Sequence, residues 1–216
     1  MDKIIISHQT YDPVQAYLES RGVSLVRLRP FSGVDPAVSC HPDMRFCKLG
    51  AADDAPVFAG SKKNLGPSYP EDIIYNAACT GRYFIHALRY TSKDLLQTAR
   101  DMSMIFVDVK QGYSKCSTLI VDEDSVITSD RGMCGPMKKA GLDVLLISEG
   151  HILLPGHDHG FIGGSTGRIG GEIVFNGDID RHPDGTAIRS FITSRKTEIR
   201  SFPGLPLMDI GSIIPI

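Results

Sequence analysis

Short apolar runs separated by polar turns make up most of the chain. IIIS (4–7) and VSLVRL (23–28) have the length and composition of strands. The stretch between them predicts a helix that Asp12 caps, with Pro13 at its first position and Gly22 after its end. A strand, a helix and a second strand at this spacing predict one α/β unit.

The same pattern recurs further along the chain. The copies comprise strand 83–88, helix 92–101 and strand 104–109; strands STLIV and SVITS, a helix around PMKKA ended by Gly141 and strand 144–148; and strand EIVFN, a helix over 184–196 and a strand near TEIRSF. Thr91 or Ser92 is expected to cap the first of these helices. The segment 41–61 instead runs into SKKNLGPSYP, so we expect that copy to lack its helix.

These copies predict a repeat architecture. Segments 41–61, 110–130 and 158–178 align without a gap, and this places Cys47 on Cys116. The first unit lacks an opening strand, whereas the tail LMDIGSIIPI is an opening strand with nothing after it. We therefore expect an α/β fold in which the C-terminal strand pairs in the N-terminal unit and closes a ring. The expected single domain, 1–216, divides into units 209–216 with 1–36, 37–68, 69–109, 110–157 and 158–208.

Composition restricts the classes of function. The 216 residues are 42% hydrophobic and carry a net charge of −2 without a basic cluster, which argues against nucleic acid and membrane surfaces as partners. Five cysteines without a CxxC pair argue against a disulfide framework or a structural zinc site. With no signal-peptide core and no apolar run of membrane-spanning length, we expect a reduced, cytoplasmic protein. The expected partner is a small-molecule substrate or ligand, without a cofactor, and nothing in the sequence supports a particular oligomer.

Two segments carry candidate chemistry. Residues 40–47 (CHPDMRFC) contain a potential general base, a carboxylate and a thiol within eight positions, and SKCSTLIVDE begins the aligned segment that contains Cys116. HPDMRFC resembles the His-bearing segment of the dimethylarginine hydrolases, and its H-x-D matches the arginine deiminases. SKCSTLIVDE is similar to the hydrolases' nucleophile segment, which runs Cys-Ser-x-Leu-Ile. One unit separates the two segments, as in those hydrolases, so the chain resembles the pentein superfamily of guanidine-modifying enzymes, a five-unit α/β-propeller.

The resemblance implies a role for four residues. Cys116 would be the thiolate that attacks a guanidinium or amidine carbon, and His41 would carry protons to the leaving amine and from the attacking water. A neighbouring imidazolium is expected to lower the pKa of such a thiol. Asp43 would bind guanidinium N–H groups bidentately, and Asp209, in LMDIGS, would supply a further substrate carboxylate.

The chain departs from these enzymes at a glycine-rich stretch. The unit that carries an acidic pair in the hydrolases aligns here with residues 161–165 (FIGGS), and the chain begins at a different point in the ring, as a circularly permuted relative would. Residues 156–171 contain seven glycines and Arg168. Such a stretch forms either tight turns between strands or a row of backbone N–H groups that binds a carboxylate or phosphate.

The leading interpretation is a hydrolase acting on a small guanidine, amidine or related C–N substrate. Its expected catalytic residues are Cys116, His41 and Asp43, and its expected substrate-binding residues are Asp209, Ser165, Thr166, Arg168, Gly164 and Arg45. Cys47, Cys79 and Cys134 are expected to be packing residues. One alternative is a binding pentein without chemistry, similar to the ribosome anti-association factor. Another is a metal-dependent hydrolase that uses His151, His157 and His159.

Overall fold

The computed structural model describes residues 2–216, in which short strands and helices alternate. The strands are β1 (Lys3–Ser7), β2 (Ser24–Leu28), β3 (Phe46–Lys48), β4 (Val57–Ala59), β5 (Ala78–Cys79), β6 (Tyr83–His86), β7 (Ile105–Asp108), β8 (Thr118–Ile120), β9 (Ser125–Thr128), β10 (Asp143–Leu146), β11 (Thr166–Ile169), β12 (Glu172–Phe175), β13 (Glu198–Arg200) and β14 (Ile214–Pro215). The α-helices are α1 (Asp12–Ser20), α2 (Lys93–Asp101), α3 (Ser114–Ser117), α4 (Arg131–Ala140) and α5 (Gly185–Thr193). Within the described chain, the helices are too short or too polar to cross a membrane.

The strands form five separate small sheets. Their orders are β14-β1-β2, β3-β4, β5-β6-β7, β8-β9-β10 and β11-β12-β13. In each three-stranded sheet, the first strand is antiparallel and the third strand is parallel to the middle one. A helix joins each parallel pair, because parallel neighbours need a crossover connection. The β3-β4 sheet is an antiparallel pair without an α-helix, as expected for the segment 41–61.

The C-terminal tail pairs with the first strand. Ile214 of β14 lies opposite Ile5 of β1, and Pro215 lies opposite Ile4. This is the pairing expected of the tail, and it gives β1 a hydrogen-bonded neighbour on both sides. Within residues 2–216 the five sheets are not hydrogen-bonded into one closed sheet. The fold is a mixed α/β arrangement of small sheets.

The opening strands of the sheets lie next to one another. β3 contacts β5, β5 contacts β8, β8 contacts β11, and β11 contacts β14. A 3₁₀ turn at Pro42–Met44 contacts both β1 and β3. Segments that are far apart in sequence therefore meet where these strands begin, and the polar residues described below lie there.

Apolar side chains between each sheet and its helix form the core. Val14 and Leu18 of α1, for example, pack in one buried cluster with Ile4 and Ile6 of β1. Helices α2, α4 and α5 bury their apolar faces in corresponding clusters, each of which also contains residues of a neighbouring unit. Each fully buried large aliphatic side chain contributes about 1.5–3 kcal/mol. These clusters fix the strands whose ends carry the site.

Two of the expected helix caps were wrong in detail. Tyr11, not Asp12, is the N-cap of α1, and Asp12 lies in the first turn. Ser92 is the N-cap residue of α2, one of the two positions expected, but its side chain makes no capping hydrogen bond, and the hydroxyl of Thr91 bonds elsewhere. Gly141 ends α4 in the left-handed conformation (φ +107°), as its sequence position predicted.

Candidate active site

The site begins with a contact between Cys116 and Asp43. Cys116 lies in α3, the single turn before β8, and its Sγ donates to Asp43 Oδ2 at 3.0 Å. The backbone N–H of Asp43 donates to the carbonyl of Gly211 at 3.1 Å, which holds the 3₁₀ turn against the C-terminal tail. Both side chains are buried, with 2% of Cys116 and none of Asp43 exposed. A carboxylate and a thiol that are 73 positions apart in sequence therefore meet in a nearly dry environment.

His41 lies beside this pair. The side-chain donor atoms of His41, Asp43 and Cys116 are all within 4.8 Å of one another. His41 Nδ1 is 3.7 Å from Asp209 Oδ1, too far for a hydrogen bond, and within the described chain neither ring nitrogen has a hydrogen-bond partner. Oδ1 of Asp43 is also without a partner among residues 2–216. Since buried polar groups are normally satisfied, these atoms are suited to contact a bound ligand.

Asp209 is positioned by backbone groups. Its Oδ1 accepts from Gly211 N and its Oδ2 accepts from Phe161 N, both at 2.9 Å. A Cβ on Gly164 would lie 2.0 Å from Asp209 Oδ1. A Cβ on Gly211, which has φ +69°, would lie 2.1 Å from the Cβ of His41. The two glycines therefore allow the tail and the glycine-rich stretch to approach the carboxylate and the imidazole.

Asn76 is a site residue that the sequence analysis missed. Its Oδ1 accepts from the backbone N–H groups of Lys115 (2.9 Å) and Cys116 (3.2 Å). Its Nδ2 donates to the backbone carbonyl of Asp43 at 3.3 Å and to Cys116 Sγ at 3.4 Å. Asn76 thus ties the nucleophile turn to the turn that bears Asp43. Its sequence signal is weak, because it is one fully buried amide within the apolar stretch 73–79.

Lys115 and Ser212 were also missed. Lys115 Nζ donates to Ser212 Oγ at 2.9 Å and to the carbonyl of Gly163 at 3.2 Å. The hydroxyl of Ser212 in turn donates to Asp43 Oδ2 at 2.9 Å. Sequence position gave a usable signal for both, since Lys115 precedes Cys116 and Ser212 follows Asp209 by three residues.

Burial dominates the electrostatics of the site. It lowers the pKa of His41 to about 4, although Asp43 raises it. Burial raises the pKa of Asp43, and it raises the pKa of Asp209 to about 6 against the opposing effect of two backbone N–H groups. The thiol pKa of Cys116 is raised well above its usual value by burial, then by Asp43 and Asp209. The expected imidazolium and lowered thiol pKa were wrong for the unliganded protein, which at neutral pH holds a neutral imidazole and a protonated thiol.

Cys116 and Asp209 line a cavity of 280 Å³. The other lining residues are Val38, Tyr113, Leu154, His157, Asp158, His159 and Phe161. A larger open cleft, of 670 Å³, adjoins it and shares Tyr113 and His157 as lining residues. The hydroxyl of Tyr113 donates to Asp72 Oδ2 at 2.7 Å, which fixes the ring between the two spaces. The volume of the inner cavity suits a small molecule.

The remaining predicted substrate-binding residues lie outside the lining of this cavity. The hydroxyls of Ser165 and Thr166 donate to the carbonyl of Ile162. Arg168 Nε donates to the carbonyl of Val121 at 3.1 Å. The guanidinium of Arg45 lies over the ring of Phe46, 5.0 Å from its centroid. The structure thus brings Gly164 and Asp209 to the catalytic candidates and directs the side chains of the other four elsewhere.

The three histidines of the metal alternative do not converge. His157 Nε2 lies 3.4 Å from Asp35 Oδ2, and His159 Nε2 lies 3.3 Å from Glu149 Oε1. The ring of His151 packs edge-on against His182, with centroids 5.5 Å apart. Among the described residues, the group whose donor atoms are close enough to hold a metal is His41, Asp43 and Cys116. An imidazole, a carboxylate and a thiolate can ligate Zn²⁺, but the same three groups suit nucleophilic catalysis.

Comparison with known proteins supports the fold and gives the family. A substrate-bound agmatine deiminase of C. jejuni superimposes with a TM-score of 0.50 at 9% identity, over 93% of this chain and 87% of that one. At this identity the likeness concerns the fold alone, and it supports the pentein fold that the sequence predicted. No curated protein matches the chain. A family model described as a family of unknown function (DUF6873) matches residues 5–214, so the chain belongs to that family.

Proposed function

We propose that the protein is a pentein-type hydrolase that cleaves a C–N bond of a small guanidine or amidine. The observation that carries this proposal is the buried convergence of a thiol, an imidazole and a carboxylate, all within 4.8 Å of one another, beside a cavity that Cys116 and Asp209 line. A nucleophile, a base and an orienting group within reach of one another are what covalent hydrolysis needs. That C. jejuni agmatine deiminase shares this fold is consistent with the proposal.

The charge of the site favours a cationic substrate. Asp43 and Asp209 both face the thiol electrostatically and raise its pKa. A guanidinium or amidinium in the cavity would pair with these carboxylates, and its positive charge would offset their effect on the thiol. The ligand itself would then promote formation of the thiolate, so the free protein keeps a protonated and unreactive Cys116.

The first half-reaction transfers the carbon to sulfur. Neutral His41 takes the thiol proton as the Cys116 sulfur attacks the amidine carbon, and the C=N electron pair moves onto nitrogen. Protonated His41 then gives that proton to the departing nitrogen, the C–N bond breaks, and an amine or ammonia leaves. The carbon remains bound to sulfur as a cationic S-alkylthiouronium or thioimidate. Asp43 and Asp209 hold the remaining N–H groups throughout.

The second half-reaction releases the product. His41, neutral again, takes a proton from water as the water oxygen attacks the S-bound carbon. The tetrahedral adduct expels the Cys116 sulfur, which recovers the proton from His41, and the protonated urea or amide passes its extra proton to the released amine or to solvent. A guanidine yields a urea and an amidine yields an amide, with one water consumed per C–N bond cleaved. The low pKa of His41, about 4 in the free protein, makes it a base first and an acid only after it has taken a proton.

The proposal includes a ring of five units. The opening strands contact one another in the order β3, β5, β8, β11, β14, and the 3₁₀ turn at Pro42–Met44 spans from β3 to β1, the partner of β14. This order of contacts is the one expected for five units around a centre. The catalytic candidates would then lie at the ends of the strands. Small-angle scattering of the native chain, compared with profiles for closed and opened rings, tests this part of the proposal.

Two alkylating agents of similar size test the chemistry. A cationic haloacetamidine should label Cys116 at least about tenfold faster than neutral iodoacetamide at pH 7.5, because only the cation pairs with Asp43 and Asp209. The label is located by mass spectrometry, and a panel of guanidines and amidines is screened for released ammonia or amine. Equal labelling rates together with no turnover would reject the hydrolase and favour the binding module.

A further inference from the structure

Lys115 is a cation whose contacts are all to neutral atoms. Its Nζ donates to the hydroxyl of Ser212 (2.9 Å) and to the carbonyl of Gly163 (3.2 Å), and no carboxylate of residues 2–216 lies within 4.0 Å of it in an ion pair. The side chain is only partly exposed. An ammonium ion in such a position is stabilised by carboxylates that are slightly farther away. The hydroxyl of Ser212 that accepts from Lys115 donates to the carboxylate of Asp43.

We propose that Lys115 is a positioning residue that keeps the two buried carboxylates of the site ionised, acting on Asp43 through the hydroxyl of Ser212. This inference rests on the proposed function, because it assigns Lys115 to the same site. The chain of contacts is continuous: Nζ of Lys115 to Oγ of Ser212 at 2.9 Å, then Oγ of Ser212 to Oδ2 of Asp43 at 2.9 Å. A hydroxyl that accepts from an ammonium ion is a stronger donor to the carboxylate beyond it.

The backbone at Ser212 supports a specific role for this hydroxyl. Ser212 is fully buried and has φ +75°, in the left-handed region that residues with a side chain rarely adopt. Its N–H donates to the carbonyl of Gly164 at 2.8 Å, which holds the residue in that conformation. The strained backbone directs Oγ at Asp43 and Lys115 together, and a glycine at this position would provide the same turn without the hydroxyl.

A count of charges shows what Lys115 does. With both carboxylates ionised, a neutral His41 and a protonated Cys116 thiol, the one ammonium leaves the site a net charge of about −1, which one cationic substrate neutralises. Without Lys115 the charge would be about −2 in a desolvated place, and the carboxylates would take up protons to relieve it. The field of Lys115 lowers the pKa of both Asp43 and Asp209, against the burial that raises them.

Lys115 lowers the pKa of Asp43, Asp209 and Cys79. The other ionisable groups of the site, its cavity and the neighbouring strand β6 are His41, Tyr113, Cys116, His157 and His86. Burial keeps His41 and His86 neutral, since it lowers the pKa of each to about 4. Burial raises the pKa of Cys79 and of Tyr113, which keeps both protonated at neutral pH. Because Cys79 stays protonated, the groups on which Lys115 acts are chiefly the two carboxylates, whose pKa it lowers.

The test follows the side-chain carboxyl resonances of Asp43 and Asp209 by ¹³C NMR as a function of pH, with assignments from Asp43→Asn and Asp209→Asn. We expect Lys115→Met to move both titration midpoints up by about one pH unit, because losing a cation raises the pKa of the carboxyl groups nearby. Lys115→Arg keeps the charge and should leave both midpoints in place. Ser212→Ala should produce a smaller upward shift, and Lys139→Met, which removes an exposed lysine of α4, should produce none.

The outcomes separate the electrostatic role from a tether between Gly163 and the tail. A tether alone would lower the melting temperature without moving the midpoints of the carboxyl titrations, and that result would overturn the inference. Should Lys115→Met fail to fold by circular dichroism, Ser212→Ala decides, since an unshifted midpoint of Asp43 there also overturns it. If the native protein turns over no guanidine or amidine, the proposed function fails, yet the carboxyl titration curves still decide the role of Lys115.

Discussion

The alignment of the repeats pairs Cys47 with Cys116, but the structure gives the two thiols different positions and surroundings. Both are buried, with 1% and 2% of their surface exposed. Cys47 lies inside β3, donates to the carbonyl of Ala77 at 3.3 Å and has its sulfur 3.6 Å from that of Cys79. Cys116 lies just before β8, where its sulfur contacts Asp43 and Asn76.

The difference shows that burial alone does not distinguish a structural cysteine from a reactive one. Cys47 belongs to an apolar cluster that includes Leu49, Tyr75 and Phe84, and the partners of its thiol in the described chain are a backbone carbonyl and the thiol of Cys79. Cys116 is equally buried, but its sulfur contacts a carboxyl group and an amide group. It also lines one wall of a cavity. Polar neighbours and access to a cavity determine which thiol can react.

The largest effect is expected from removing the two thiols separately. Cys116→Ala should lower turnover by about 10⁴-fold or more, because it deletes the nucleophile. Cys47→Ala should retain turnover and lose stability of about 1–2 kcal/mol, because it leaves a small cavity in an apolar cluster. Steady-state kinetics and thermal denaturation of both variants measure this. Comparable loss of turnover in the two, with both folded, would contradict the distinction.

Gly164→Ala should have the next largest effect. The new Cβ would lie on Asp209 Oδ1, so the carboxylate must move away from the cavity, and a displacement of about 1 Å at such a site costs on the order of 100-fold in kcat/KM. Gly135→Ala in α4 is the matched control, because a Cβ there meets no atom within 4 Å. The surroundings of Cys47 are unaffected by either change. Normal kcat/KM in Gly164→Ala would mean that Asp209 does not position the substrate.

Asp43→Asn is expected to have two opposite effects at Cys116. It should lower kcat/KM for a cationic substrate by about 10- to 100-fold, since hydrogen bonds to a charged group contribute about 1.5–3 kcal/mol. It should also shift iodoacetamide labelling of Cys116 to lower pH, because Asp43 raises the pKa of the thiol. Labelling of Cys47, measured in the same digests, should stay negligible. A labelling curve that moves to higher pH would show that the carboxylate acts as a base for the thiol instead.

The pH dependence of activity is expected to follow Asp209 and not His41. The carboxyl of Asp209 loses its charge as the pH falls through its pKa of about 6, so kcat/KM should fall up to about tenfold per pH unit below that value. The ring of His41, with a pKa of about 4, should stay neutral and show no NMR titration between pH 5 and 8. Its resonance is assigned by comparison with His41→Gln. A His41 resonance that titrates near pH 6.5 would contradict the buried, neutral ring.

Much of the site could be found from the sequence, and the part that could not has a common cause. His41, Asp43, Cys116 and Asp209 stand in segments with recognisable neighbours, and the structure brings them together. Asn76 went unnoticed, because it acts through backbone groups of residues about 40 positions away. Arg168 was chosen for its charge, but a strand places it where it bonds a carbonyl of the neighbouring unit.

The sequence by itself determined the units and their order. Strand and helix periodicities are local, so β1, α1 and β2 and their later counterparts follow from residues a few positions apart. The unmatched tail also predicted its own partner, because an unpaired edge strand is unfavourable. These features depend on the short-range geometry of the backbone and on the number of strands in each unit.

Only the tertiary structure decided the protonation states of the site. The thiol of Cys116 and the ring of His41 have their charges set by desolvation, which depends on everything packed around them and outweighs any single neighbour in sequence. Likewise, Lys115 acts through Ser212, 97 positions away. Burial and contact across the fold are properties of the assembled chain, so no local pattern could have shown that the free protein keeps its nucleophile protonated.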